Sequence, residues 1–199
     1  MLILGLNGSP RRDGNTARLL TQAMQVAADM GAATRLIHVA DALEGQTDPF
    51  CRVCAPKCTG KCSRGTKLGE VYDLFRQVDG LIMGSPVYFG TVSGQLKGMW
   101  DKTRFLRSDK ALLNVVGGAV TVGASRFGGQ ETTLRAIHDM MLIHGMTVVG
   151  DGWWEEDCGH HGCCAQKPVE NDDNALSRVA ILTKRVVQVA ESTKNLRLR

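Results

Sequence analysis

Aromatic residues make up only 5% of this 199-residue chain, too few for an extended surface on which nucleic-acid bases could stack. No apolar run approaches the ~20 residues that a membrane-spanning helix requires. Met1 to Leu6 reads as a buried strand and not as the apolar core of a signal peptide, so the expected location is the cytoplasm. Charge of one sign is not concentrated enough to mark a nucleic-acid surface. Lys and Arg number 24 against 20 Asp and Glu, and the net +4 is spread along the chain. The one basic cluster, Lys184-Arg185 with Lys194 to Arg199, reads as a solvated end. Internal repeats and low-complexity segments are also missing. What remains, at 43% hydrophobic and 22% charged residues, is ordinary for one α/β domain spanning 1–199.

The first informative segment runs Leu4-Gly-Leu-Asn-Gly-Ser-Pro-Arg-Arg-Asp-Gly-Asn-Thr16, an apolar strand entering a glycine-punctuated loop and then an amphipathic run. It fits neither the dinucleotide nor the nucleoside triphosphate loop pattern. Gly8 and Gly14 allow tight backbone paths, and Ser9, Asn15 and Thr16 place donors where a helix N-terminus already presents unpaired N–H groups. Arg11 and Arg12 add positive charge suited to a terminal phosphate. An ordinary capped helix is the simpler reading of the same residues.

Leu19, Leu20, Ala23, Ala27 and Met30 recur at helical spacing, Gly31 stops the helix, and Thr34 to Val39 reads as a strand. Residues 41–66 carry four cysteines and five Gly or Pro positions with little periodicity, which marks an insertion after strand 2. Further along come a helix through Leu68, Val71, Leu74 and Val78, a strand Gly80–Gly84 and a helix over Ser93 to Leu106. A buried strand over Leu112 to Val122, a helix Glu131 to His144, a last strand Met146 to Val149 and a closing helix through Leu176 to Ala190 complete the pattern. Strands alternating with helices predict a doubly wound parallel sheet of five strands, with ligands beyond the strands' carboxyl ends.

Three loops fall at such ends: Ser9 to Thr16, Ser85 to Thr91, and Ala124 to Gln130. A phosphate cradle in one and aromatic side chains beside glycines in the others describe a site for FMN. Through Gly8-Ser9-Pro10-Arg11-x-x-Gly14-Asn15-Thr16 and Gly84-Ser85-Pro86-Val87-Tyr88-Phe89-Gly90-x-x-Ser93-Gly94-Gln95-Leu96-Lys97, the chain resembles the flavodoxin-like NAD(P)H-dependent FMN reductases. With the cysteine cluster and Gly128-Gly129-Gln130-Glu131-Thr132, it resembles their iron–sulfur flavoprotein branch. The resemblance implies strand order 2-1-3-4-5. It assigns Ser9, Arg11, Asn15 and Thr16 to the phosphate. Pro86, Val87, Tyr88, Phe89 and Gly90, together with Ala124, Ser125, Arg126, Gly128 and Gly129, fall to the ribityl chain and ring. It further implies a homodimer or homotetramer, no side-chain catalyst beyond the flavin, and no nucleic-acid or membrane partner.

Cys51, Cys54, Cys58 and Cys62 place four thiols within twelve residues of one loop. Such density suits a [4Fe–4S] cluster, with Arg52, Lys57, Lys61 and Arg64 to offset its charge; zinc and metal-free thiols are the rival readings. The resembling iron–sulfur flavoproteins usually have two residues between the second and third cysteines, whereas this chain has Ala55-Pro56-Lys57. The extra residue is either absorbed by a turn at Pro56 or a sign that the cluster has been lost. A second group, Cys158, His160, His161, Cys163 and Cys164, is read first as structure or as a loop beside the flavin, then as an accessory metal site or redox thiols. The expected activity is FMN-dependent electron transfer between the cluster and FMN, with a ferredoxin-like carrier as donor. Without a cluster, the chain would be an NAD(P)H-dependent reductase of FMN, quinone or another small acceptor.

Overall fold

A computed structural model describes residues 1–197; Leu198 and Arg199, the last two of the basic tail, lie outside the described residues. Apolar residues at i, i+3 and i+4 bury one face of α1 (Asn15–Asp29) through Leu19, Leu20, Ala23 and Ala27. Parallel strands β1 (Leu2–Asn7), β2 (Ala33–His38), β3 (Gly80–Pro86) and β4 (Val116–Gly123) form the sheet, and β3 and β4 are buried almost throughout because helices cover both faces. The order is β2-β1-β3-β4 and then β5 (Thr147–Val148), as expected. One core, under α3 (Lys67–Phe75), α4 (Gly94–Asp101) and α6 (Gln130–Leu142), includes Leu68, Phe75, Leu96, Trp100 and Ile137. The opposite core joins α1 to α7 (Asp173–Ser192) through Leu20, Ala23, Val179 and Leu182. A short helix, α2 (Val39–Ala42), follows β2 directly.

Three expectations are corrected. The helix expected over Ser93 to Leu106 is broken into α4 and α5 (Arg104–Ser108). Lys102 and Thr103 make i→i−3 backbone bonds to Met99 and Trp100, and the Thr103 hydroxyl also donates to the Trp100 carbonyl at 2.6 Å. The strand expected from Leu112 starts only at Val116, because Lys110 and Asn114 adopt left-handed backbone conformations and close successive turns. The last strand is also shorter than expected. Its edge position is shared with β6 (Cys163–Gln166), which resumes pairing with Val120 to Gly123 of β4 after an excursion over residues 149–162.

That excursion is held by charge. Asp151 is fully buried, and its carboxylate accepts from Arg178 Nε at 2.5 Å and from the His160 amide. Arg178 also reaches Asp157 at 3.1 Å, and Lys184 lies 6.0 Å from the Trp153 ring. The tail is likewise anchored where a solvated end was expected. The Arg197 side chain, 4% exposed, pairs with Asp79 at 3.1 Å, and Asn114 donates to the Leu196 carbonyl.

His144, just beyond α6, is 7% exposed and shares a 2.8 Å hydrogen bond with Thr103. Since the Thr103 hydroxyl donates to Trp100, it accepts here from His144 Nε2–H. Burial, helped by Arg107, lowers the imidazole pKa to about 4. The native state therefore keeps this ring neutral while the unfolded chain protonates it below about pH 6.5. Stability is intact above pH 6.5 and is expected to fall by about 3 kcal/mol as pH drops to 4. His144→Gln should flatten that slope in urea titrations at a series of pH values; an unchanged slope would assign the acid sensitivity elsewhere. Arg178→Met, which strands the Asp151 carboxylate, should cost about 3–5 kcal/mol. Adding Asp151→Asn should recover part of it in the same denaturation assay.

Candidate functional site

The site begins where β1 passes β3. The Gly8 amide donates to the Gly84 carbonyl at 2.8 Å, and a Cβ on Gly8 would lie 2.8 Å from that oxygen and 2.9 Å from Leu96. Only glycine fits there. Ser93 locks the crossing: its buried hydroxyl donates to the Gly8 carbonyl at 2.5 Å and accepts from the Leu96 amide, capping α4. Asn7 shapes the next residues, accepting from the Ser9 amide at 3.0 Å and donating to the Arg11 carbonyl at 3.1 Å. Ser9 Oγ in turn accepts from the Arg11 amide at 3.1 Å.

This loop delivers the chain to α1 with Gly14 as an N-cap that has no capping side chain. Arg18 N–H is the first to bond back, to the Gly14 carbonyl. The amides of Asn15, Thr16 and Ala17 thus have no backbone partner among the described residues, which is the arrangement that suits a phosphate. Thr16 is 2% exposed, and its methyl group packs at Gly84. Asn15 is partly committed, because its Oδ1 accepts from the Val169 amide at 2.8 Å; its NH2 is the group suited to an anion.

The two other loops meet each other. Tyr88 and Thr91 exchange backbone hydrogen bonds around Phe89 and Gly90, both at positive φ. That tight turn leaves Phe89 fully exposed and Tyr88 43% exposed. The amides of Val87 and Tyr88 are used inside the protein, by Val122 and Thr91, so backbone donation to a ligand falls to Phe89 and Gly90. Thr132 donates to the Gly90 carbonyl at 2.8 Å, drawing α6 against this turn. Gln130, buried at the start of α6, donates to the Ser125 carbonyl at 2.7 Å and fixes the loop Ala124, Ser125, Arg126, Phe127, Gly128, Gly129. Six successive amides of that loop have no backbone partner among the described residues, and Phe127 stands exposed beside Arg126. The expected residues of all three loops are therefore gathered at the carboxyl end of β1, β3 and β4. Orphan amides at one end and a wall of aromatic residues at the other fit a phosphate-bearing, ring-bearing ligand such as FMN. Asn7, Ser93 and Gln130, which set this geometry, were not among the expected residues, although Ser93 and Gln130 lie inside the quoted motifs.

The cysteine-rich insertion forms a lobe beside α3, α4 and α5. Its neck is closed by Gln46 to Thr66 at 3.1 Å and by the Lys67–Glu44 ion pair. Pro49 and Phe50 lie over Gly98 of α4, and the Phe105 ring lies against Gly60. The spacer Ala55–Lys57 is a bend whose Pro56 carbonyl accepts from Arg104 at 3.4 Å. Cys51, Cys54, Cys58 and Cys62 are free thiols, none of them buried. Beneath them the Tyr72 hydroxyl donates to the Met99 carbonyl at 2.8 Å. Burial raises its pKa, and the charges of Cys62, Cys51 and Cys58 raise it further, so three of the four thiols lie within electrostatic reach of this one phenol. A cleft of about 720 Å³ opens along the lobe between Lys57, Cys58, Arg64, Tyr72 and Phe105. Among the described residues, no three His, Cys, Asp or Glu side chains converge closely enough to hold a single metal ion.

The second Cys/His group does not form one cluster either. Cys163 is buried with its thiol toward the Ala175 carbonyl, whereas Cys164 approaches Thr121 on the other face of the sheet. The ends of the 149–162 excursion lie beside Gly117 to Val120, at the lateral edge of the sheet. His161 faces His138 of α6, their ring centroids 6.4 Å apart. The loop Gly159-His160-His161-Gly162 thus flanks α6 and α7 and sits below the three ligand loops of the same chain.

Comparison with known proteins agrees with this geometry. Residues 1–161 match the family described as NADPH-dependent FMN reductase. An iron–sulfur flavoprotein of Methanocaldococcus jannaschii is 42% identical over 200 residues, covering 98% of this chain and all of the relative. One from Methanosarcina thermophila is 36% identical, covering 96% of both. The WrbA-like flavodoxin of Agrobacterium tumefaciens shares the fold at a TM-score of 0.68 with 19% identity, over 96% of this chain and 97% of its own. No helix of the described residues is long and apolar enough to cross a membrane. The chain therefore belongs to the NADPH-dependent FMN reductase family and, within it, to the iron–sulfur flavoprotein branch.

Proposed function

We propose that this FMN-dependent oxidoreductase passes electrons between an iron–sulfur cluster held by Cys51, Cys54, Cys58 and Cys62 and FMN held by the three loops beyond β1, β3 and β4. The observation that carries the reading is the pairing of the two sites on one helix. Ser93 at the start of α4 locks the phosphate loop, and Gly98 on the same helix seats the cysteine lobe.

FMN, when bound, accepts a hydride or single electrons, so the protein's part is to bind, orient and tune. The orphan amides of α1 and the Thr16 hydroxyl hold the phosphate, with Arg11 supplying charge. Tyr88 and Phe89 would give the ring an apolar wall, and the Ala124–Gly129 amides would favour the negative charge that the flavin supplies on reduction. At the lobe, a single zinc ion at a Zn–S distance of about 2.3 Å would draw its thiolates to a point. A [4Fe–4S] cluster would take one thiolate on each of its four irons, so Cys51, Cys54, Cys58 and Cys62 would hold it without converging on a single point. The lobe has five basic residues and no acidic one between Pro49 and Gly69, which suits both the negative charge of a thiolate-bound cluster and an acidic, ferredoxin-like donor. A homodimer or homotetramer completes the proposal, with the exposed Phe89, Phe127 and Trp154 as natural contact residues.

Protein purified without oxygen should show flavin bands over broad absorbance near ~400 nm, with about four irons and matching sulfide per chain. Cys54→Ser or Cys58→Ser should lose the iron and keep the flavin. Flavin without iron in the unaltered protein would leave an NAD(P)H-dependent reductase. Thr16→Val should weaken FMN binding roughly tenfold, read from quenching of free FMN fluorescence on titration, a loss of about 1.4 kcal/mol for one donor to a charged oxygen. Unchanged affinity would take Thr16 out of the phosphate site.

A further inference from the structure

Asn7 is fully buried at the end of β1, and each polar atom of its side chain is bonded. Its Oδ1 accepts from the Ser9 amide at 3.0 Å, and its NH2 donates to the Arg11 carbonyl at 3.1 Å. Those two backbone partners settle which end of the amide is oxygen and which is nitrogen, because an N–H only donates and a carbonyl only accepts. The other N–H of the same NH2 is left for Nδ1 of His38, 2.9 Å away, where Asn7 and His38 are register partners on β1 and β2.

The chemistry of that last bond is therefore fixed as well. Asn7 donates, so Nδ1 of His38 is the bare, accepting nitrogen and the ring hydrogen sits on Nε2. An imidazolium carries a hydrogen on both nitrogens and would set one donor against another. Turning the Asn7 amide over does not repair this, since its NH2 would then meet the Ser9 amide and its oxygen the Arg11 carbonyl. Either arrangement leaves buried polar groups unpaired.

What Asn7 holds is the first turn of the anion loop. Ser9 Oγ completes that turn by accepting from the Arg11 amide at 3.1 Å, and the chain then passes through Gly14 to the unpartnered amides of α1. Charged groups on the elements around the end of β2 are engaged elsewhere or exposed. Asp41 of α2 holds Arg12 of the loop at 2.7 Å, and on α1 Arg18 is drawn to Glu170 at 2.8 Å. Arg11 and Asp13 of the loop and Arg35 of β2 are exposed. Among the described residues Asn7 is the hydrogen-bond partner of the His38 ring, and no carboxylate bonds to it to favour a second proton.

We propose that His38 is a positioning residue of the anion loop: its neutral, Nε2–H form holds Asn7, and through Asn7 the Ser9–Arg11 turn, in the shape that receives the flavin phosphate, and its protonation releases that turn. FMN binding thereby becomes sensitive to proton uptake at a residue outside the three ligand loops. The inference rests on the reading of this loop as the phosphate site and goes beyond it by naming the residue behind the loop that sets its shape.

The test uses the full-length protein, refilled after its flavin has been removed, with affinity read from the quenching of flavin fluorescence. Riboflavin, which has the same ring and no phosphate, is the control ligand. At about pH 7.5, where a histidine is ordinarily neutral, His38→Leu should bind FMN roughly tenfold more weakly, about 1.4 kcal/mol, with riboflavin affinity unchanged. His38→Asn places Oδ1 where Nδ1 stood and takes up no proton in this range, so it should keep FMN affinity close to the wild type. A phosphate monoester itself loses charge near about pH 6, so both proteins should weaken on acidification; between about pH 7.5 and 5.5 the wild type should weaken several-fold more than His38→Asn. In protein carrying nitrogen-15-labelled histidine, the ring signals that vanish in His38→Asn should show the hydrogen on Nε2 and none on Nδ1 at neutral pH. Equal losses of FMN and riboflavin binding in His38→Leu would mark a merely structural histidine and overturn the proposal. Parallel pH profiles of the wild type and His38→Asn, or a hydrogen on Nδ1 at neutral pH, would do the same. If His38→Leu does not fold, the His38→Asn comparison decides alone. A wild type that binds riboflavin as tightly as FMN would overturn the phosphate-loop reading itself, and the proposal with it, before any variant is made.

Discussion

Everything at the ligand end of this fold depends on two strands passing within hydrogen-bond distance at Gly8 and Gly84. The 2.8 Å bond from the Gly8 amide to the Gly84 carbonyl carries the β1–β3 ladder one residue beyond the Asn7–Gly84 pair, and the absence of a side chain on Gly8 leaves room for that carbonyl and for Leu96. Ser93 converts that contact into an orientation, since one hydroxyl bonds both the loop carbonyl and the first turn of α4. From there the order propagates. The loop path fixes where α1 starts, the start of α1 fixes which amides are left without partners, and those amides form the candidate anion site.

Much of this was legible in the residues alone, for a physical reason. Helical burial repeats at three and four, buried parallel strands are continuous apolar runs, and glycines with short polar residues collect where strands end, so the alternating architecture and all three ligand loops stand out. What escaped were features settled by distant partners. Apolar spacing runs unbroken across Lys102 and Thr103, so nothing local marks the break between α4 and α5; it comes from Thr103 bonding Trp100 and His144. Leu112, Leu113 and Val115 look like strand, yet left-handed residues at 110 and 114 turn them into the approach to β4. Cys163 to Gln166 look like part of a Cys/His motif and have poor strand character, but the open edge of β4 gives their backbone groups a partner. Asn7 and Gln130 combine local bonds with distant partners, His38 and the Ala165 carbonyl, that only the folded chain brings about. The tail looked solvated because the partner of Arg197, Asp79, is more than a hundred residues away.

The three ligand loops and the cysteine lobe are stabilised in different ways. The ligand loops lie on a dry, well-packed sheet, with Thr16, Ser85 and Ser93 almost fully buried. The cysteine lobe has no comparable core: Phe50 and Val53 are largely exposed, and the lobe is held by its neck, by Phe105 against Gly60 and by Arg104 on the Pro56 carbonyl. A loop of some twenty residues with five positive charges and no negative one repels itself, and its conformational entropy opposes order. Four thiolates ligating one object would relieve both costs at once, drawing the chain around a common centre and supplying the missing negative charge.

That leaves α4 as the element that relates one site to the other. Its first turn is locked to the Gly8 loop by Ser93, and its last turn, at Gly98, lies under Pro49 and Phe50 of the lobe. Five residues at about 1.5 Å each place Ser93 and Gly98 about 8 Å apart along one axis. Trp100, buried in the core with its indole donating to the Met140 carbonyl, keeps that axis from rotating. A helix that is capped at the loop end by Ser93 and anchored in the middle by Trp100 sets the spacing between the Gly8 loop and the cysteine lobe. The break after Asp101 then follows as a requirement of the same design. A straight continuation would carry the next turn onward along the axis of α4, whereas the 3-10 step at Lys102 and Thr103 redirects α5, so that Arg104 and Phe105 meet the lobe at Pro56 and Gly60.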